Sequence, residues 1–499
     1  MQEKFEQLKA RLRDIIDLGS AASVLGWDQN TYMPPAGAET RGNQMAIISR
    51  IVHEWATAEE MGHLLEELKP YAESLDPDSD DARTIKVAQR EYDIATRLPS
   101  EYVVERSQVT TAAFSAWAES RGKSDFKIFE PHLEKVVELN QRFASYFPEV
   151  DHPYDALLDQ YEPGMKTADV RTIFENLRPQ QVELIAAISE QPQVDDSFLH
   201  QAFDETKQWD FGVEVITKLG YDWHRGRQDK APHPFTTGFS IDDVRITTRV
   251  DPNFFNPMFF GTVHETGHAL YHLGHSRDYH RTILSDGASL AVHESQSRMY
   301  ENLVARSFPF WEHFYPRMQE IFPHMSSVTL DQFYKGINKV EPTLIRVEAD
   351  EATYNLHIML RLELEIALIE GKVSVKDLPE IWNEKIKEYL GLTPPNDAQG
   401  VLQDVHWSYG MMGYFPTYAL GNLVSAQLWE VIMKDMPDIE DQIRAGKFEG
   451  LLTWLREKIH THGRKFEPQE LVQMVTGSKI DSAPYVRYLK NKFGKIYNL

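Results

Sequence analysis

The amino-acid sequence predicts a mainly α-helical fold carrying a small β-sheet. Three observations lead there. Apolar residues recur with a 3.6-residue period from the first turn onward, short polar or proline-bearing breaks punctuate the N-terminal half, and the stretch Phe239 to Val250 alternates with period two. With 499 residues, 42% of them hydrophobic and 26% charged, the chain can bury a large core.

Phe5, Leu8, Leu12, Ile15 and Ile16 form one apolar stripe, so the opening segment is a helix. Helices continue to about residue 235, broken at Asp76 to Asp81, at Leu98-Pro99-Ser100 and at Gln191-Pro192-Gln193. The alternating, β-branched segment from Phe239 to Val250 is a hairpin or small sheet. Asn256-Pro257 then reads as an N-cap followed by proline in the first helical position, and the pattern runs to about Leu273 before Gly274. A further helical pattern begins at Glu294 and passes through Met299, Leu303 and Val304. Pro342 and Gly371 frame a longer helix as its start and stop, and the region from Leu423 to Tyr497 is again helical. No linker is long or biased enough to separate independent domains. The expectation is one unit over residues 1–499, with a helical N-terminal part to about 235 and the site-bearing part from about 236.

Composition excludes several functions. Lys plus Arg total 52 against 76 Asp plus Glu, a net charge of −24 without a basic block, which argues against nucleic-acid or anionic-membrane partners. Without cysteine there is no disulfide, iron–sulfur cluster, thiol nucleophile or thiolate zinc site, so any metal must use His, Asp or Glu. The segment from Met1 to Asp14 lacks the apolar core of a signal peptide and no stretch nears 18 apolar residues, so a cytoplasmic protein is expected.

His264-Glu265-Thr266-Gly267-His268 falls inside the helix expected from Asn256. Histidines four apart share a helical face and can bind one metal ion. Glu265, about 100° round the axis, stands beside the open coordination position, where a carboxylate takes a proton from water. A catalytic zinc site needs a third protein ligand. Glu294, with 25 residues between it and His268, is the candidate, and the adjacent His293 is its competitor.

Further motifs follow in order: Gly26-Trp27-Asp28-Gln29 with Met33-Pro34, His233-Pro234-Phe235, Asp243 to Thr247 including Arg245, His293-Glu294-Ser295-Gln296, Ile345 to Asp350, and Gly400 to Trp407. Together with the His-Glu-x-x-His segment they make the chain resemble the zinc carboxypeptidases typified by carboxypeptidase Taq, over almost its whole length. The resemblance implies a helical fold of the neurolysin and angiotensin-converting-enzyme type with a deep groove. It also implies release of single C-terminal residues from peptides, homodimers, and cobalt as a substitute for zinc. In that family's pattern His264, His268 and Glu294 bind the metal, and Glu265 is the general base and acid. Related peptidases often place an aspartate four residues after the ligand glutamate to orient a zinc histidine. Here that position is Arg298, which leaves Asp404, Asp350 or a backbone carbonyl for the task.

A carboxypeptidase must hold a free carboxylate, for which a guanidinium fork is best suited, and Arg346 is the candidate. The alternative is a surface ion pair with Asp350, four residues on along the expected long helix. The aromatic-rich stretch from Gln403 to Tyr418 supplies His406 and Tyr418 as donors to the developing oxyanion, with Tyr409 and Tyr414 as rivals. His233, Arg245, Asp350 and Gln403 complete the substrate side, the strand at Asp243 to Thr247 offering an exposed edge to the peptide backbone. The competing functions are an oligoendopeptidase or dipeptidyl carboxypeptidase with the same metal site, and a non-catalytic metal-binding scaffold. Retention of Glu265 counts against the scaffold.

Overall fold

The structure is a computed structural model describing residues 1–499. Twenty α-helices and one three-stranded sheet make up the chain, about 70% of it helical. The breaks seen in the sequence lie between helices: Glu59–Ser74 gives way to Asp80–Arg97, which is followed after Leu98-Pro99 by Ser100–Lys123. Local chemistry explains such starts. The Ser79 hydroxyl accepts the N–H of Ala82, one of the four donors a helix start leaves unpaired.

One continuous apolar core joins residues from Tyr102 to Tyr497, while Phe5, Leu8 and Leu12 of the opening helix pack with Met61, Leu64, Leu65, Leu68, Ile85 and Ala88 in a smaller separate cluster. None of the helices is long and apolar enough to cross a membrane.

Strands β1 (Gly226–Lys230), β2 (Thr236–Ser240) and β3 (Asp243–Thr248) are ordered β1-β3-β2. β2 and β3 form the expected hairpin, antiparallel, with Thr237 opposite Arg245. β1 pairs parallel to β3, with Arg227 opposite Arg245. The strand expected to offer a free edge is therefore the central one, hydrogen-bonded on both sides, and the edges are β1 and β2.

Several helix boundaries differ from expectation: the N-terminal helices end at Leu219, not near 235, because β1 follows, and the helix expected from Glu294 begins at Leu290. The metal-site helix is Phe255–Leu273, so Asn256 lies inside its first turn rather than at the cap. Pro257 is tolerated there because the first four N–H groups have no intrahelical partner. The helix expected from Pro342 begins only at Tyr354 and ends at Ile369. Before it the chain makes a single 3₁₀ turn, Arg346–Glu348, and Asp350 stops helix propagation by accepting the N–H groups of Glu341, Ala352 and Thr353 and the Thr353 hydroxyl. Burial pushes the Asp350 carboxyl up to about 6, against these donors.

Candidate metal centre and active site

Three helices converge on the site. Leu290–Arg298 packs against both Phe255–Leu273 and Pro416–Asp435. Its start is fixed by the Ser289 hydroxyl, which accepts the N–H of Val292, and by the buried Glu162 carboxyl, which accepts that of Ala291. Glycines allow the close crossings. A Cβ at Gly267 would stand 2.6 Å from the Gln296 carbonyl oxygen and from Ser297 Cα, and one at Gly421 would stand 2.6 Å from Cβ and Cγ of Glu294. Gly267→Ala is thus expected to push the two ligand-bearing helices apart and weaken metal binding about tenfold or more, measured by competition with a chelator.

That crossing brings together His264, His268 and Glu294, whose ligand atoms all lie within 4.8 Å of one another. Glu294 Oε2 is 3.3 Å from His268 Nε2 and 3.6 Å from His264 Nε2. Two ligands each ~2.0–2.1 Å from a tetrahedral zinc lie roughly 3.3–3.4 Å apart, so the spacing fits such an ion. Charge fits as well. Burial would raise the Glu294 carboxyl, but Arg298, His264 and His268 outweigh it and hold the group well below the usual carboxylate range. The donor set of two half-buried imidazoles and one buried carboxylate suits a borderline divalent cation.

The outer nitrogens of both histidines are engaged by residues not anticipated for that task. His264 Nδ1 is 2.9 Å from Glu301 Oε2, and His268 Nδ1 is 2.6 Å from His293 Nδ1. An imidazole that ligates through Nε2 carries its proton on Nδ1, so His264 donates to Glu301 and His268 donates to His293. Neither Asp404 nor Asp350 reaches these rings. Asp404 is held by Arg346 and Arg361, and Asp350 by its own turn. Arg298 ties the arrangement together, donating from Nε to Glu294 Oε1 at 2.6 Å and from Nη1 to Glu301 Oε2 at 3.2 Å. Glu301 lies on a π-helical segment, Met299–Ala305, that continues the helix of Glu294. Its one sequence signal was the seven-residue offset from Glu294, two helical turns along the same face.

Glu265 is buried beside this cluster. Its Oε2 lies 2.7 Å from the Thr236 hydroxyl at the start of β2, which is also 2.9 Å from the Glu265 carbonyl oxygen. The edge strand β2, rather than β3, is therefore the strand that touches the base.

Arg346 is only 5% exposed and makes no ion pair with Asp350. Its Nε and Nη2 grip Asp404, at 3.1 and 2.8 Å from Oδ1, and its Nη1 donates to the Tyr354 hydroxyl at 2.8 Å. Arg361 binds the same carboxylate through Nε at 2.8 Å. The two guanidiniums hold the Asp404 carboxyl well below its ordinary range against the effect of burial. Burial pushes the neighbouring His406 and His357 down to about 4 and about 3, so both are neutral at pH 7. Two cations facing one anion leave this buried cluster one negative charge short. Of the five Arg346 N–H donors, three are used, which leaves one on Nη1 and one on Nη2.

Gln403 is buried, with its side-chain amide engaged by the backbone. It accepts the Arg346 N–H at 2.9 Å and donates to the Leu344 carbonyl, fixing the turn that presents Arg346. The rings of His406 and Tyr414 stack at 5.4 Å, and the Tyr414 and Tyr418 hydroxyls are 3.2 Å apart. Tyr418 lies one turn before Gly421, the residue in contact with Glu294, and its ring centre is 5.1 Å from the Arg346 guanidinium. Tyr409 points elsewhere: it is exposed and stacks on Phe114 at 5.2 Å. His233 is exposed. Arg245 is paired with Asp243 over the Trp27 ring, 4.4 Å from its centre, so the Gly-Trp-Asp-Gln motif of the opening helix braces the sheet.

A profile of the carboxypeptidase Taq (M32) metallopeptidase family matches residues 7–493. Thermostable carboxypeptidase 1 of Thermus thermophilus is 40% identical over 503 residues, covering 99% of both chains. Carboxypeptidase 1 of Bacillus subtilis is 39% identical over 490 residues, 98% of this chain and 97% of its own. The crystal structure of an M32 carboxypeptidase from Deinococcus radiodurans R1 superposes with a TM-score of 0.97 at 38% identity, covering 100% of both chains. The cluster of two histidines and a glutamate thus sits in a chain that belongs to the carboxypeptidase Taq (M32) metallopeptidase family and is a metal-dependent carboxypeptidase, a peptide hydrolase.

Proposed function

We propose that the protein releases single C-terminal amino acids from peptides with a free carboxylate, using one zinc ion held by His264, His268 and Glu294, with cobalt able to substitute. The observation that carries this reading is the convergence of two Nε2 atoms and a carboxylate oxygen beside the buried Glu265, a short chain of contacts away from the anion-deficient Arg346 cluster. A divalent metal held there by His264, His268 and Glu294 would polarise the scissile carbonyl and acidify a water.

The protein's own groups do the rest. Glu265, steadied by Thr236 at Oε2, takes the proton of the attacking water on its other oxygen and passes it to the departing amine. Neutral His406 and the Tyr414 hydroxyl, which accepts from the Tyr418 hydroxyl and keeps its own proton free, are the donors for negative charge developing on the carbonyl oxygen. Arg346, held side-on by Asp404, offers its two remaining donors to the substrate's terminal carboxylate. A homodimer in the cytoplasm, acting on peptides and not on nucleic acid or membranes, completes the proposal; the charge of −24 supports the last part.

Incubation of metal-loaded enzyme with a defined peptide, followed by mass spectrometry, tests the reading. A ladder losing one residue at a time from the C-terminus, abolished by EDTA and restored by zinc or cobalt, is expected. Internal fragments or steps of two residues would instead show an oligoendopeptidase or dipeptidyl carboxypeptidase.

The ligand set has its own test. Glu294→Ala removes one of three ligands and is expected to lower zinc retention sharply, whereas His293→Ala removes only the acceptor behind His268 and costs about 10–100-fold in affinity. Metal analysis after dialysis giving the reverse order would show that the ligands are misassigned.

A further inference from the structure

One side chain touches both the metal-binding cluster and the carboxylate anchor. Tyr354 opens the helix Tyr354–Ile369 and is 6% exposed. Its hydroxyl accepts from Arg346 Nη1 at 2.8 Å. The face of its ring receives the other cation: the Arg298 guanidinium carbon lies 4.6 Å from the ring centre, and Arg298 Nε in turn donates to Glu294 Oε1 at 2.6 Å. The ring packs edge-on against Tyr418, 6.1 Å between centres at 86°. Glu294, Arg298, Tyr354, Arg346 and Asp404 therefore form an unbroken chain of contacts from the metal side to the anchor.

We propose that Tyr354 is a positioning residue that fixes the Arg346 guanidinium relative to the metal-binding carboxylate, and so sets the one-residue register of cleavage. The inference rests on the reading of Arg346 as the carboxylate anchor. The physical argument is one of tolerance. An extended peptide advances about 3.3–3.6 Å per residue, so an anchor free to shift by that distance would place the penultimate peptide bond, rather than the last one, at the site of attack. Asp404 alone grips Arg346 along one side, through Nε and Nη2, which leaves the guanidinium free to swing about that pairing. The hydroxyl at Nη1 closes the third corner and removes the swing. Because the same ring is clamped by Arg298, the anchor is referenced to Glu294 rather than to a distant part of the fold.

The test is Tyr354→Phe, which keeps the ring and its contact with Arg298 and deletes the acceptor. Zinc content and the thermal melt are expected to match wild type. With a free-carboxylate peptide, kcat is expected to fall about tenfold or more with a smaller change in KM, since Arg346 still grips the carboxylate but holds the scissile bond out of place. Dipeptides are expected to appear among the products. Wild-type kcat with strictly single-residue release would overturn the proposal, and so would a loss of activity that merely parallels loss of zinc or of folded protein. The anchor reading is tested separately by wild-type enzyme on a C-terminally amidated peptide. Undiminished cleavage there would remove the anchor itself, whereas poor cleavage there with an unaltered Tyr354→Phe enzyme would refute the role of Tyr354 alone.

Discussion

Glu265→Gln is expected to lower turnover by about two to four orders of magnitude while the protein still binds about one metal ion per chain. The substitution preserves shape, and the Thr236 hydroxyl can still donate to the amide oxygen at Oε1 or to the backbone carbonyl it already faces. What disappears is the ability to accept a proton from water and return it to the leaving amine. Because Glu265 lies next to His264 on the helix but is not one of the three convergent ligand atoms, metal retention separates this effect from damage to the metal centre. Single-turnover kinetics together with metal analysis check both halves of the expectation. Activity within a few-fold of wild type would remove Glu265 from the mechanism.

Arg346→Ala is expected to cut kcat/KM on free-carboxylate peptides by about a hundredfold or more, because breaking a buried charge contact costs about 2–5 kcal/mol. The fold should survive. Asp404 keeps Arg361, whose Nε is 2.8 Å away, and the change takes one positive charge out of a buried cluster that carries an excess of one. On C-terminally amidated peptides wild type and variant should be about equally poor, so the loss is specific to the carboxylate. Efficient cleavage of amidated peptides by wild type would sink the exopeptidase assignment and leave the metal hydrolase standing. The rival picture drawn from the sequence, a surface pair of Arg346 with Asp350, predicted little loss at all. The buried geometry contradicts it, because Asp350 spends its oxygens on the backbone of its own turn.

That turn shows why part of the fold was not legible. Pro342 and Gly371 carry genuine helix-boundary preferences, but an aspartate that can accept two or three nearby N–H groups competes with the helix, and the choice depends on where those N–H groups lie in space. β1 escaped notice for a related reason. Gly226-Arg-Gln-Asp-Lys230 contains no β-branched or aromatic residue, and it is a strand because β3 offers it a parallel ladder. The same pairing made β3 a central strand and handed the contact with Glu265 to β2. Conversely, the strand within the alternating segment Phe239 to Val250 and the helix ending at Leu273 were readable from local periodicity and turn chemistry, although the first strand of the hairpin begins earlier, at Thr236.

Spacing within one helix was enough to put His264, Glu265 and His268 on adjoining faces, because a 3.6-residue period leaves no other arrangement. The absence of cysteine was enough to restrict any metal to nitrogen and oxygen ligands. Tertiary structure decided everything that depends on two segments meeting: Glu294 rather than His293 facing the shared point, His293 and Glu301 behind the two histidines, and Arg346 buried against Asp404 instead of lying on a surface helix. Arg346 reaches Asp404 because its turn is held by Asp350 and Gln403, and the physical reason at the metal centre is how closely helices can cross. That closeness was granted by Gly267 and Gly421, two residues whose lack of a side chain carries no chemical signal until the neighbouring helix is in place.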